Sequence, residues 1–366
     1  MEINEIMKSI SQARKASQGS LTKTVAIHGG LAVEAEGFSA LFKQPEVCIE
    51  KGEGFKVANP AALSRFLELV PDARVRANEK GRIEIHASNF RAVLAAAQEQ
   101  DYHVRIRKTD EHVELVYPQQ VVDAITGAAP FMAKQMMIYE GCVVAVGPTG
   151  AVAYVAKIGQ ELAFPVAIAQ GTVKKMLEIW PGKAPGKGFL SPASLLLASD
   201  DTFVQFKALE DPDNGQVSVP KSVLQTLSMA KSSQVQGEVQ ASELQRVAAM
   251  MAAVADVEDA ATEESGDEKK ARAKRFRTKA AFVELQENEL TVYSADGEVK
   301  LTSALSGEIP KAKVNLRFLS DACKVLSKRT VNIVLGQVPT LSIPHVTLST
   351  QDLATTIIVA GLRDDA

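Results

Sequence analysis

One helical pattern, met three times, constrains the fold of this chain more than any other feature. "VNLRFLSDACKVL" (Val314 to Leu326), "ANPAALSRFLELV" (Ala58 to Val70) and "AQGTVKKMLEIW" (Ala169 to Trp180) fall into register. Leu319 lands on Leu63 and Val173, and Leu326 lands on Val70 and Trp180. The apolar positions recur at i, i+3, i+4 and i+7, the spacing that buries one face of a helix. A second kind of helix also matches: "EIMKSISQA" (Glu5 to Ala13), "QVVDAITGA" (Gln120 to Ala128) and "ELQRVAAMM" (Glu243 to Met251). Ile6, Val121 and Leu244 coincide there, as do Ile10, Ile125 and Ala248. Two matching helices in three places point to one folding unit used three times, against the plain alternative of chance similarity.

Short β-rich runs follow every helix, among them "GCVVAVGPTGAVAYVA", "SLLLASDDTFVQFKA" and "AAFVELQENELTVYS". Turn residues divide several of them, as hairpins require: Glu79-Lys80-Gly81, Gly147-Pro148-Thr149-Gly150 and Asp200-Asp201. The unit therefore reads as helix, strands, helix, strands, an α+β arrangement. Its three copies would occupy residues 1–111, 112–220 and 221–366.

Bulk properties exclude several classes. A hydrophobic share of 46% and a charged share of 23% are those of a globular protein with ample core. No apolar run reaches the length of a membrane span, and the polar start "MEINEIMKSISQARK" does not read as a signal peptide. Cys48, Cys142 and Cys323 lie far apart without CxxC spacing, so free, buried thiols in a cytoplasmic protein are expected. The net charge of −3 argues against coating nucleic acid by bulk charge, yet leaves room for a local basic surface.

Chemistry-bearing motifs are missing from the sequence. His28, His86, His103, His112 and His345 are scattered without HxH or HExxH spacing, so no metal site is expected. There is no GxSxG elbow, and "PGKAPGKG" lacks the residues of a phosphate loop. "DPDNG" at Asp211 opens like a calcium loop but lacks the later acidic ligands, and reads as a turn. No catalytic residue, cofactor or metal is assigned.

The tripled unit and the motif at its last second helix resemble the bacterial β-type DNA sliding clamp family. That family's third domain carries a pattern close to F-N-x-x-Y-L-x-D-x-L-x-x-L. Here Val314, Asn315, Phe318, Leu319, Asp321, Cys323 and Leu326 match it. "VNIVL", "TLSIP" and "TTIIVAGLR" stand where the family has a strand pair and a short C-terminal strand. "KRFRTKAAFVELQENELTVYS" (Lys274 to Ser294) is similar to the family's strand pair around an E-N-x-L turn. Two departures stand out. "VGPTGAVA" (Val146 to Ala153) replaces the family's T-D-G-H-R-L-A, and "VAGLRDDA" replaces its M-P-M-R-L terminus. The resemblance thus implies a divergent or phage-type member.

The resemblance implies three clamp-type domains with antiparallel sheets outside and two helices per domain inside. Two chains would close head to tail, edge strands of the first domain pairing with those of the third. Such a homodimeric ring would encircle double-stranded DNA without regard to sequence and tether the replicative polymerase and clamp loader. Topology has a quantitative reason. Sequence-independent phosphate binding, with dissociation constants of roughly 10⁻⁴ to 10⁻⁶ M, would release DNA within roughly ten milliseconds at best. Closure supplies retention while weak contacts leave the ring mobile.

The implied DNA-facing residues are Lys8, Arg14, Lys15, Arg65, Lys174, Lys175, Arg246, Arg317, Lys324 and Lys328. The lining is mixed, because Asp123 shares the slot of Lys8 and Arg246, and Asp321 that of Arg65 and Lys175. Ordinary solvated helix faces are the alternative for any one of them. Partner peptides would dock in a pocket rimmed by Val146, Pro148, Thr149, Gly150, Ala151, Pro220, Leu224, Val359, Leu362 and Arg363. The segment Glu258 to Lys279 is acidic and then basic, and reads either as a self-neutralising solvated loop or as a further contact to DNA or a partner. The competing function is a clamp-fold scaffold or decoy that binds replisome peptides without encircling DNA. A monomeric hydrolase on a β-rich scaffold is more remote.

Overall fold

The computed structural model describes residues 21–27, 30–35, 37–43, 47–49, 55–56, 69–70, 74–77, 82–95, 106, 108–179, 185–200, 202–209, 217–232, 237–261, 280–286, 289–294, 297–302, 304–305, 312–326, 329–337 and 344–361. Five helices lie among them: α1 (Pro118–Ala128), α2 (Gln170–Ile179), α3 (Lys221–Ser232), α4 (Ala241–Ala261) and α5 (Leu316–Val325). The first helix expected in the sequence, Glu5 to Ala13, lies outside the described residues, as does Ala58 to Glu68.

The chain divides into two compact units, Met1–Thr126 with Leu162–Ser218 and Gly127–Glu161 with Val219–Ala366. In the first unit an eight-stranded sheet runs in the order Phe55–Lys56, Leu21–Ile27, Gly30–Ala35, Phe38–Lys43, Thr202–Lys207, Ser194–Ala198, Lys187–Ser191, Val113–Glu114. Residues far apart in sequence meet at its middle, where Val204 faces Ala40 and Phe206 faces Phe38. All four of these side chains are buried, so the junction is core and not a loose seam. A smaller sheet joins Val47–Ile49, Arg74–Ala77, Arg82–Ala87 and Phe90–Ala95. Its first pairing is parallel, against the antiparallel expectation. Residues 50–73 lie between the two strands, which is ample length for the crossover a parallel pair needs.

In the second unit the larger sheet passes through Gln135–Tyr139, Cys142–Val146, Val152–Lys157, Thr355–Ala360, Pro344–Thr350, Thr330–Gln337, Gly237–Gln240 and Ala304–Leu305. Val152–Lys157 and Thr355–Ala360 again join distant stretches, with Tyr154 opposite Ile357. A four-stranded sheet holds Gly297–Thr302, Glu289–Ser294, Ala280–Gln286 and Ala312–Asn315.

The apolar stripes read from the sequence are the buried faces of these helices. Val121 and Ile125 of α1, Leu244 and Ala248 of α4, Val173 of α2 and Leu319 of α5 are all at most 1% exposed. Asn315 caps α5, its side chain accepting a hydrogen bond from the Arg317 N–H at 2.9 Å. Helices α4 and α5 pack on one another, and α5 also meets Ala312–Asn315 and Thr355–Ala360.

Hairpins form at the expected breaks. Val146 pairs with Ala153 across Gly147–Gly150, and Ala198 pairs with Phe203. A tighter one turns at Glu140-Gly141, with both residues at positive φ, 47° and 67°, between the paired Tyr139 and Cys142. Two central residues of that hand match the twist of the flanking strands. Two segments differ from the sequence reading. The segment after Pro220, read from the sequence only as a domain boundary and pocket rim, is helix α3, because Val223 and Leu227, four apart, bury on one side. Helix α4 runs on to Ala261, taking in the start of the acidic segment, whose remainder at 262–279 lies outside the described residues.

Candidate functional site

Three groupings carry the chemistry worth weighing: a cleft in the second unit, basic residues on the helices, and a buried polar cluster in the first unit.

The cleft has a volume of about 390 Å³. Its floor follows from the period-two alternation of a hairpin. Met137 lies opposite Val144, and Gln135 and Val146 stand two residues further along the same face. The following turn adds Gly147 and Pro148, and the start of α3 adds Pro220, Ser222 and Val223. The turn is held by Gly147 N–H to Val152 carbonyl at 2.8 Å and Gly150 N–H to Gly147 carbonyl at 3.0 Å. Gly150 sits at φ +69° with open space before it. Ala133 and Lys134 complete the rim, fastened where the Ala133 N–H donates to the Val146 carbonyl at 3.0 Å. The lining is mainly apolar with one cation and no carboxylate among the described residues.

Val146, Pro148 and Pro220 were expected here and line the cleft. Thr149 and Gly150 stand exposed at the tip of the turn, and Ala151 is half-buried behind it; none is among the lining residues. Leu224, 44% exposed, lines instead a second depression of about 400 Å³ with Glu140, Leu227, Ser228 and Lys231. Val359 is a correction. It pairs with Val152 and Val346 inside the sheet and is not among the residues that line the cleft. Leu362 and Arg363 lie outside the described residues. Sequence reasoning missed Met137, Val144, Val223 and Lys134, although the alternation within "QMMIYEGCVVAV" carried the signal for the first two.

At the second depression the Lys231 ammonium donates to Glu140 at 2.6 Å, and this contact lowers the Glu140 carboxyl below its ordinary range. Both side chains are largely in water, where such a pair adds little to stability. Cys142 lies buried nearby, and burial raises its thiol above the usual value. Burial alone pushes the Cys323 thiol on α5 up to about 12. Both are core residues and not nucleophiles.

Of the DNA-facing candidates, Arg246 on α4 and Arg317 and Lys324 on α5 are exposed on two helices packed together. Lys174 is exposed and Lys175 half-buried on α2 of the first unit. Asp123, exposed on α1, accepts from the Gln119 amide at 2.6 Å, and Asp321 is exposed on α5. Lys8, Arg14, Lys15, Arg65 and Lys328 lie outside the described residues.

The polar cluster looks at first like catalytic machinery. His112 Nε2 is 3.0 Å from Ser194 Oγ, and its Nδ1 is 2.9 Å from Thr109 Oγ1. Proton bookkeeping rules out an activated serine. The Thr109 backbone N–H, which can only donate, points at Nδ1 from 3.1 Å. Nδ1 is therefore the acceptor and Nε2 carries the hydrogen, so His112 donates to Ser194 and cannot take its proton. Gln205 Nε2 donates to the same oxygen at 3.0 Å. Burial holds the His112 pKa below its ordinary value, keeping the ring neutral. With Ser194 at 3% and His112 at 9% exposure, the cluster is a clip between Val113–Glu114 and the hairpin beside it. No three acidic, cysteine or histidine side chains converge on a possible metal position among the described residues.

These sheets and helices together define a known class: the fold is that of the β-type DNA sliding clamps. A putative DNA polymerase III beta subunit of Eubacterium rectale matches with a TM-score of 0.68 at 12% identity, over 99% of this chain and 98% of that one. The DNA polymerase III beta subunit of Pseudomonas aeruginosa matches with a TM-score of 0.68 at 11% identity, over 99% of both chains. The beta subunit from the DNA polymerase of Streptococcus pyogenes matches with a TM-score of 0.68 at 13% identity, again over 99% of both. No protein-family model matches the sequence, and no curated protein matches it either. The resemblance read from Val314 to Leu326 thus extends to the fold of the whole chain. No described helix is long and apolar enough to cross a membrane.

Proposed function

We propose that this chain is a divergent, non-enzymatic sliding clamp of the cytoplasm. Two copies close head to tail around double-stranded DNA, three domains from each, at 1–111, 112–220 and 221–366. The observation that carries this reading is the clamp fold running along 99% of the chain. The exposed cations Lys174, Arg246, Arg317 and Lys324 on helices support loose phosphate contact at the inner wall. The apolar cleft at Met137, Val146, Pro148 and Pro220 supports docking of polymerase and loader peptides.

The exposed carboxylates of Asp123 and Asp321 favour a second reading, a scaffold that binds the same peptides without encircling DNA. One experiment separates the two. The protein is loaded on nicked circular DNA, the circle is cut, and retention is followed by gel filtration. A clamp stays on the circle and slides off the linear form, at a solution mass near twice that of one chain. Equal loss from both forms favours the scaffold, and a strict monomer at micromolar concentration removes the ring.

A further inference from the structure

We propose that His345 is an acid-sensitive latch in the second unit: on taking up a proton its ring leaves the sheet and frees the end of Thr355–Ala360 together with Gly361, while the rest of the fold stays in place. Period-two alternation sets His345 and Thr347 on one face of Pro344–Thr350. His345 is paired with Gly336 on one side and Ala360 on the other. The glycine makes room for the ring, since a Cβ on Gly336 would stand 2.8 Å from His345 Cε1 and 2.9 Å from Nε2. The fit that admits the ring leaves its polar atoms unanswered. Neither His345 Nδ1 nor Thr347 Oγ1, both buried, has a hydrogen-bond partner among the described residues.

The surroundings offer a cation nothing. Thr330–Gln337 and Thr355–Ala360, the strands on either side, carry no titratable side chain. Ala312–Asn315, which also packs against Pro344–Thr350, brings Lys313, a like charge whose ammonium lies 5.4 Å from the centre of the Phe282 ring. Burial lowers the His345 pKa from its ordinary value of 6.5, and no carboxylate opposes it. A protonated ring donates from both nitrogens, and Nδ1 has no acceptor within reach, so the charged form is better placed in water. What the ring holds down is the chain end. The Gly361 N–H donates to the Pro344 carbonyl, and Gly361 bridges to Val314. Both contacts adjoin the last pair of the sheet, His345 opposite Ala360, so moving the ring loosens them first. Opening restores the ordinary pKa. The closed form is therefore fully favoured above pH 6.5, and each pH unit below shifts the balance toward the open form by up to about tenfold until the closed form titrates too.

Amide hydrogen exchange on the full-length protein tests the latch, read as protection factors so that the intrinsic pH dependence of exchange divides out. Protection at Ala360 and Gly361 should fall about fivefold from about pH 7.5 to about pH 5.5. It should also be indifferent to low urea, because a local opening exposes little surface. His345→Phe keeps a ring over Gly336 and removes the titration, so its protection should stay level across the same range. Gly336→Ala crowds the ring and should lower protection at every pH. A pH response that survives in His345→Phe overturns the latch. The wild-type series decides by itself if neither variant folds. Level protection there overturns the proposal, and so does a urea response as steep as that of the most protected amides, which would make the histidine act only through global unfolding.

Discussion

The polar cluster at His112 and the cleft at Met137 make an instructive pair. The first holds histidine, serine and threonine at hydrogen-bonding distance, the residue types of nucleophilic catalysis. Every polar atom in it that matters is already answered, and the two central side chains are buried. The cleft holds almost no reactive chemistry. What it has is accessible apolar surface at Val146, Pro148 and Pro220 and a cation without a partner among the described residues. Residue type therefore says less about function than unsatisfied valence does. The cluster is closed and works for stability; the cleft is open and waits for something.

Removing His112 should have the largest effect on that contrast. His112→Ala removes the buried ring that donates to Ser194 and leaves a gap there, so a loss of about 2 kcal/mol of stability is expected in urea unfolding. A loss below about 0.5 kcal/mol would mean that the cluster is not a clip. The same histidine makes the contrast visible by pH. Its folded pKa is depressed from 6.5, as is that of buried His345, so below that value the unfolded chain takes up protons that the folded chain refuses. Stability is then fully present above pH 6.5 and falls as pH drops beneath it, while peptide binding at the cleft, which no described histidine lines, stays level there.

A smaller step separates the cap from the cleft. Asn315→Ala removes the side-chain acceptor at the start of α5 and should cost about 1 kcal/mol by the same unfolding measurement. Peptide binding should not change, because Asn315 lies in no wall of the cleft. Least of all is expected from Glu140→Gln. The exposed Glu140–Lys231 pair should leave the melting midpoint unmoved, and a clear drop would mean that surface charge matters more in the second unit than burial does.

Much of the fold was legible in the sequence. The stripes at Val121 and Ile125, Leu244 and Ala248, and Leu319 and Cys323 are buried where their spacing puts them, because a helix turns its own periodicity into a face. Breaks such as Gly147–Gly150 turn hairpins because glycine reaches the positive φ such turns use. Helix α3 was less legible. Proline at its start reads as a boundary, and only the burial of Val223 and Leu227 gives the segment a reason to coil. The parallel pairing of Val47–Ile49 with Arg74–Ala77 left no local trace, since no turn chemistry specifies a crossover.

The candidate site was read in part for the same reason. Val146, Pro148 and Pro220 stood out beside turn and boundary signals, whereas Val359 shared their apolar character and proved to be sheet interior. Lys134 carried no signal at all, being one lysine among many until the strand pairing set it at an apolar rim. By itself the sequence determined which residues face inward and where the chain turns, because those choices depend on neighbours within a few positions. Tertiary structure alone decided which inward faces meet and which gap between them stays open, because that depends on residues such as Met137 and Val223, far apart in the chain, arriving at one place.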